Sequence, residues 1–174
     1  MSNLKIAGVV YERGAPIGDV LSAFIQELKD EGLNVHGILQ ETPEDMDLPP
    51  ENCGVDAIDI KHSTRVALVR PTQYELDNKI CSLDLGQLAE ASMILRRALD
   101  DGADIVVVEK FGRQEKDGGG LSEDLRAVMA EGIPTVVSVP QSELEGWNAF
   151  RGELGENLPC DLDQLRTWWQ SHNI

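Results

Sequence analysis

The chain is poor in cysteine, histidine, aromatic rings and basic residues, and each shortage removes a class of function. Cys53, Cys81 and Cys160 are odd in number, far apart and without a C-x-x-C pair, which argues against a disulfide framework or zinc ribbon and predicts reduced cytosolic thiols. His36, His62 and His172 show no H-x-x-x-H or H-E-x-x-H spacing, so no zinc or other metal site is predicted. No G-x-S-x-G elbow appears, which removes the simplest route to a serine hydrolase. Fifteen basic residues face thirty-one acidic ones, a formal charge of −16 that repels nucleic-acid backbones and anionic membranes. Neither is an expected partner. No run approaches eighteen apolar residues, and the opening MSNLKIAGVV passes into a strand-like pattern without a cleavage site, which points to the cytoplasm.

What is present is a core-forming pattern. With 174 residues and 41% hydrophobic residues, the chain suits one domain, 1–174, without a metal or disulfide staple. Leu4 to Val10 reads as a buried strand, Glu12 to Gly18 as a turn, and Val20, Leu21, Phe24, Ile25 and Leu28 as one face of a helix closed by Gly32. A second strand covers Leu33 to Leu39, and the Pro-rich stretch from Glu41 to Gly54 is a loop long enough to cover something. Val55 to Lys61 and Arg65 to Val69 alternate as a hairpin around His62-Ser63-Thr64.

The longest helix is expected over Asp84 to Asp100, with Ser82 as N-cap and a stripe of Leu85, Leu88, Ala89, Leu95, Ala98 and Leu99. Cys81, after Lys79 and just before it, is either a reactive thiol or metal ligand activated by the helix N-terminus and that cation, or a buried inert cysteine. A strand at Ile105 to Val108, a short helix through Leu125, Val128 and Met129, and a strand from Pro134 to Val139 follow. The remainder reads as helical, anchored by Trp147, Phe150, Leu162, Leu165, Trp168 and Trp169. Alternating strands and helices with an inserted β-hairpin imply a three-layer α/β fold around a mostly parallel sheet.

Ligands in such folds bind at the carboxyl edge of the sheet, and the most informative stretch lies there. Four β-branched residues, Ile105 to Val108, end in Glu109, Lys110, Arg113 and Glu115, then in Gly118, Gly119 and Gly120. Lys110, Arg113 and Lys116 form a basic cluster in an acidic protein, suited to an anion held with backbone N–H groups; a salt-bridged surface loop is the alternative. At the first strand-to-helix turn, YERGAPIGDVL stands where G-x-x-x-x-G-K-[ST] would cradle phosphates. Placing Gly18 on the second glycine puts Arg13 on the first, Asp19 on the Lys and Val20 on the Ser/Thr. Asp19 reverses the charge a triphosphate needs. Gly14 and Gly18 then serve a tight turn or approach a ligand closely.

The segments VHGILQ, KICSLDLGQLAEA, ADIVVVEKFGRQEKDGGGL and GIPTVVSV resemble those of a bacterial family with a domain of unknown function, sometimes encoded near molybdate-transport genes. That family is similar to the small nucleoside-triphosphatases first described in thermophiles. The most specific residues are Lys110, Phe111, Gly112 and Glu115, together with Cys81, Leu83 and Asp84. The resemblance implies a P-loop-NTPase-like fold. It does not carry over the catalytic Lys, because Asp19 stands there. An Asn is common in the family where this chain has Glu109, and an Arg where it has Ser82.

The leading expectation is therefore an accessory protein that binds a nucleotide or small oxyanion with little or no hydrolysis, linked through the resemblance to molybdenum metabolism. Its binding edge would comprise Gly14, Gly18, Glu109, Lys110, Arg113, Glu115, Gly118, Gly119 and Gly120. One alternative is a weak nucleoside-triphosphatase with Glu109 arranging magnesium and Glu115 as base. Another is a protein-interaction module using the sheet edge or the Trp-bearing tail.

Overall fold

A computed structural model describes residues 4–43, 45–49 and 51–173. Its strands are β1 (Ile6–Tyr11), β2 (Val35–Glu41), β3 (Val55–Asp59), β4 (Arg65–Val69), β5 (Ile105–Val108), β6 (Thr135–Pro140) and β7 (Glu156–Pro159). Its helices are α1 (Ile17–Asp30), α2 (Gln73–Asp77), α3 (Leu85–Asp100), α4 (Arg113–Lys116), α5 (Ser122–Ala130), α6 (Leu144–Arg151) and α7 (Leu162–His172). The seven strands form one sheet in the order β4-β3-β2-β5-β6-β1-β7. β2, β5, β6, β1 and β7 run parallel, and the β3–β4 hairpin continues the sheet antiparallel from β2.

The sequence explains the layering at β5. All four of its residues are buried, Ile105 and Val107 in the core beneath α1 and α7, Val106 and Val108 in the core beneath α3, α5 and α6. A strand apolar at every position belongs in the middle of a covered parallel sheet. α1 contributes Ile17, Leu21, Phe24, Ile25 and Leu28 at helical spacing to the first core. In the second core Trp147 is fully buried and meets Phe111 edge-on at 5.4 Å between ring centroids, while its Nε1 donates to Asn157 Oδ1 at 3.0 Å. Gly8 on β1 makes room for that indole, since a Cβ there would lie 2.2 Å from Trp147 Nε1.

The structure corrects four expectations. The C-terminal part is not wholly helical, because Glu156–Pro159 pairs with β1 as an edge strand. Asp84, not Ser82, caps α3 by accepting the Gln87 N–H at 3.0 Å. The buried face of α3 is Ala91, Ile94, Leu95 and Ala98, whereas Leu85 is 75% exposed and Ala89 faces outward. The cysteines are not three free thiols. Cys53 and Cys81 form a disulfide with Cα atoms 6.1 Å apart, leaving Cys160 free. The β3–β4 hairpin reverses the chain, so residues 28 apart in sequence return to one edge. A short helix, α2, also lies in the return segment, capped by the reciprocal Thr72 and Glu75 pair. Among the described residues no helix is long and apolar enough to cross a membrane.

Candidate functional site

Two hollows open at the carboxyl edge, and the expected binding residues are divided between them. The first, about 550 Å³, lies between the start of α1 and the end of β2. Gly18, Asp19 and Ser22 form one wall, and Gln40, Glu41, Thr42, Asp45 and Glu109 face them. Thr42 and Asp45 belong to the long loop after β2, so that loop does wall a hollow; its residues 44 and 50 lie outside the described residues. Its amide and hydroxyl at Thr42 both donate to Asp45 Oδ2, at 2.7 and 2.8 Å.

This hollow is acidic. Among the described residues, four carboxylates, on Asp19, Glu41, Asp45 and Glu109, line it without a lysine or arginine in the lining, and Glu41 is paired with Arg65 from β4. The amides of Gly18 and Asp19 make no backbone hydrogen bond, as expected in a first helical turn, yet an anion drawn to them would meet those carboxylates. Glu109 is partly buried, and burial raises its carboxyl above the usual range; Asp45 pushes the same way, while the Gln40 N–H and Lys110 oppose it. The Gln40 amide donates to Glu109 Oε2 at 3.0 Å. At the end of β1, burial first, then Glu109 and Cys160, push the Tyr11 phenol up to about 12.

The second hollow, about 250 Å³, lies over the hairpin and α3. Its floor is apolar, built from Val55, Leu68, Val69, Leu83, Leu88 and Leu121, and its rim carries Lys110, Arg113 and Gln40. Lys110 and Arg113 are exposed and make no ion pair among the described residues. Lys116 instead sits 3.9 Å from Glu143, away from this rim. Gln40 borders both hollows.

Glu115 lines the second hollow as a brace. Its Oε2 accepts the Gly112 N–H at 3.0 Å and its Oε1 the Leu121 N–H at 3.3 Å. The glycine turn is likewise occupied, with the Gly118 N–H donating to the Glu115 carbonyl at 3.2 Å and the Gly119 N–H to the Gln114 carbonyl at 2.8 Å. Gly120 borders the hollow at φ +57°, where a Cβ would stand 2.5 Å from Glu115 Oε1, so glycine is required on both counts.

Geometry thus gathers Gly18 and Glu109 at one hollow and Lys110, Arg113, Glu115 and Gly120 at the other, while Gly14, Gly118 and Gly119 line neither. On the Trp-bearing tail, Trp147 and Trp168 are buried, while the edge of Trp169 borders a third hollow of about 680 Å³ between α1 and α7, with Glu27 and Arg166 on its wall. Sequence reasoning missed Gln40 and the apolar floor. The alternation of the hairpin was the available signal for Val55, Leu68 and Val69; nothing in the sequence said which strand end they would meet.

The family described as "Protein of unknown function (DUF2478)" matches residues 6–168. Over 168 residues, 95% of the chain, the sequence is 30% identical to the molybdenum import ATP-binding protein ModC 2 of Bradyrhizobium diazoefficiens. The chain spans only 18% of that relative's length. The solution structure of a human cancer-related nucleoside triphosphatase superposes with a TM-score of 0.73 at 17% identity, covering 98% of this chain and 100% of that one. At that identity the likeness is one of fold, and the fold is the P-loop-NTPase-like α/β architecture.

Proposed function

The chain belongs to the DUF2478 family, and from that membership and the division of its carboxyl edge we propose a single-domain, anion-binding accessory protein that does not hydrolyse nucleotides. The observation that carries this reading is the pair of exposed, unpaired cations, Lys110 and Arg113, on the rim of a 250 Å³ hollow in a protein of net charge −16. A small oxyanion or the phosphate of a nucleotide is the ligand class those cations fit, with Gln40 as a neutral donor beside them. Gly14 and Gly18 then shape the α1 turn and do not touch the anion.

The absence of turnover follows from three residues. Asp19 occupies the position of the phosphate-binding Lys. Glu115, the only base suggested for attack by water, has both carboxylate oxygens engaged by backbone amides. Glu109 faces Asp45, and burial already disfavours its charge. The similarity to ModC 2 supports a cytoplasmic role beside molybdenum import, in which this domain senses or hands on an anion.

The test is thermal unfolding against molybdate, tungstate, sulfate, phosphate and a set of nucleotides with magnesium. A ligand at about 100 times its Kd stabilises the native state by about 2.7 kcal/mol, a rise of roughly 5 to 10 °C in Tm for a domain of this size. The Lys110→Glu, Arg113→Glu double variant should lose that rise while keeping its own Tm. A rise that survives both charge reversals removes the site, and magnesium-dependent phosphate release removes the non-hydrolysing reading.

A further inference from the structure

We propose that Cys53 and Cys81 form a reversible two-electron redox site, in which a small-molecule or protein dithiol reduces the disulfide and frees residues 72–80 from the edge of the sheet. Among the described residues, the hydrogen bonds of that segment close on the segment itself, apart from a 3.9 Å contact between the Ile80 carbonyl and Cys53 Sγ, an atom of the disulfide. Thr72 and Glu75 cap one another, Gln73 bonds Asp77, Asn78 bonds the Tyr74 carbonyl, and the Lys79 and Ile80 amides return to Leu76 and Glu75. α2 buries none of its residues, and Tyr74 and Ile80 are 71% and 41% exposed. The flanks are held to the sheet, by Arg70 to Asp56 at 2.6 Å and by the Asp84 amide to the Leu68 carbonyl at 2.9 Å. Between those two anchors the sulfur–sulfur bond is the covalent tie to the body of the protein.

Access favours exchange at one sulfur. Cys81 is exposed and Cys53 half-buried, so a reductant's thiolate attacks Cys81 Sγ, breaks the disulfide and forms a mixed disulfide, while Cys53 leaves as a thiolate and takes a proton. The reductant's second thiolate then displaces Cys81, which is protonated in turn. Two electrons leave the dithiol, which ends as its own disulfide, and two protons end on the cysteines. In a reducing cytosol a disulfide of this kind is a transient, sensing bond and not a staple.

The bond also touches the candidate site. Val55 and Leu83, each two residues beyond a cysteine, form part of the floor beneath Lys110 and Arg113. Resting on the anion-binding reading above, the oxidised form holds that floor together and binds the anion, and the reduced form binds it less well.

Three samples test this: air-oxidised protein, protein in dithiothreitol, and Cys81→Ser. Alkylation in denaturant should count one thiol in the first, Cys160, and three in the second. Hydrogen exchange at the Leu76, Asn78, Lys79 and Ile80 amides should be about tenfold faster in the reduced and Cys81→Ser samples, with β5 unchanged. Three alkylated thiols in the air-oxidised protein, or equal exchange in all samples, overturns the redox site. The Tm rise with molybdate or phosphate is measured separately in the oxidised and reduced samples. A rise larger in the oxidised sample supports the coupling, equal rises overturn it, and no rise in either removes the anion reading while the exchange result still decides the redox site.

Discussion

Glu115 reaches back to Gly112 and accepts its amide at 3.0 Å, and the same carboxylate reaches forward to the Leu121 amide at 3.3 Å. One side chain thereby fixes both ends of the turn that carries Arg113. Glu115→Ala should destabilise the protein by about 1 to 3 kcal/mol, because two amides lose a charged acceptor. Urea unfolding measures this. A variant as stable as the parent would return Glu115 to the list of groups free to act on a ligand.

Glu109 should oppose folding at neutral pH. Its folded value lies above the ordinary 4.5, with burial as the main cause, so the folded state favours the protonated acid. The contribution is fully favourable below pH 4.5 and is lost as pH rises through the folded value. Glu109→Gln keeps an acceptor for the Gln40 amide and should be more stable than the parent at pH 7 to 8, with the difference vanishing near pH 4. Urea midpoints across that range decide it; equal midpoints at every pH would show that the carboxylate is solvated.

His36 acts in the opposite sense and in a different window. It is 1% exposed on β2 with no partner for Nε2, and burial holds its value below the ordinary 6.5. The neutral ring is favoured in the fold, so its stability contribution is full above pH 6.5 and is lost as pH falls towards the folded value. His36→Leu should flatten the decline in stability between pH 7 and pH 5. A decline of unchanged slope would assign it to other groups.

Gly8→Ala should be among the most damaging single changes. Its Cβ would enter the space of the Trp147 indole, also 2.9 Å from Asn157 Oδ1, the acceptor that indole uses. Overpacking of this kind costs about 1 to 3 kcal/mol, and loss of the indole hydrogen bond adds to it. Near-ultraviolet circular dichroism and the urea midpoint should change together.

How much was legible in the sequence varied with the kind of signal. β5 and α1 could be read because Ile105–Val108 is apolar throughout and Leu21, Phe24, Ile25 and Leu28 recur at helical spacing. β7 could not, because Glu156-Asn157-Leu158-Pro159 holds one buried residue and exists as a strand only through pairing with β1. The capping pair Thr72 and Glu75 was visible as a T-x-x-E pattern but preceded no apolar run. For the site, the basic cluster at Lys110 and Arg113 and the altered α1 turn were both apparent. Their separation into two hollows was not, since it depends on which side of the sheet each loop leaves. The Cys53–Cys81 pair was equally hidden, because a hairpin that doubles back removes any meaning from a spacing of 28.

Phe111 follows Lys110 directly, and its ring stands edge-on to the one indole in this core, that of Trp147. Trp168 and Trp169 belong to the opposite core, beneath α1. An indole is therefore packed on the residue that follows Lys110. If the proposed rim takes an anion, the change in tryptophan emission on adding molybdate or phosphate should be smaller in Trp147→Phe than in the parent.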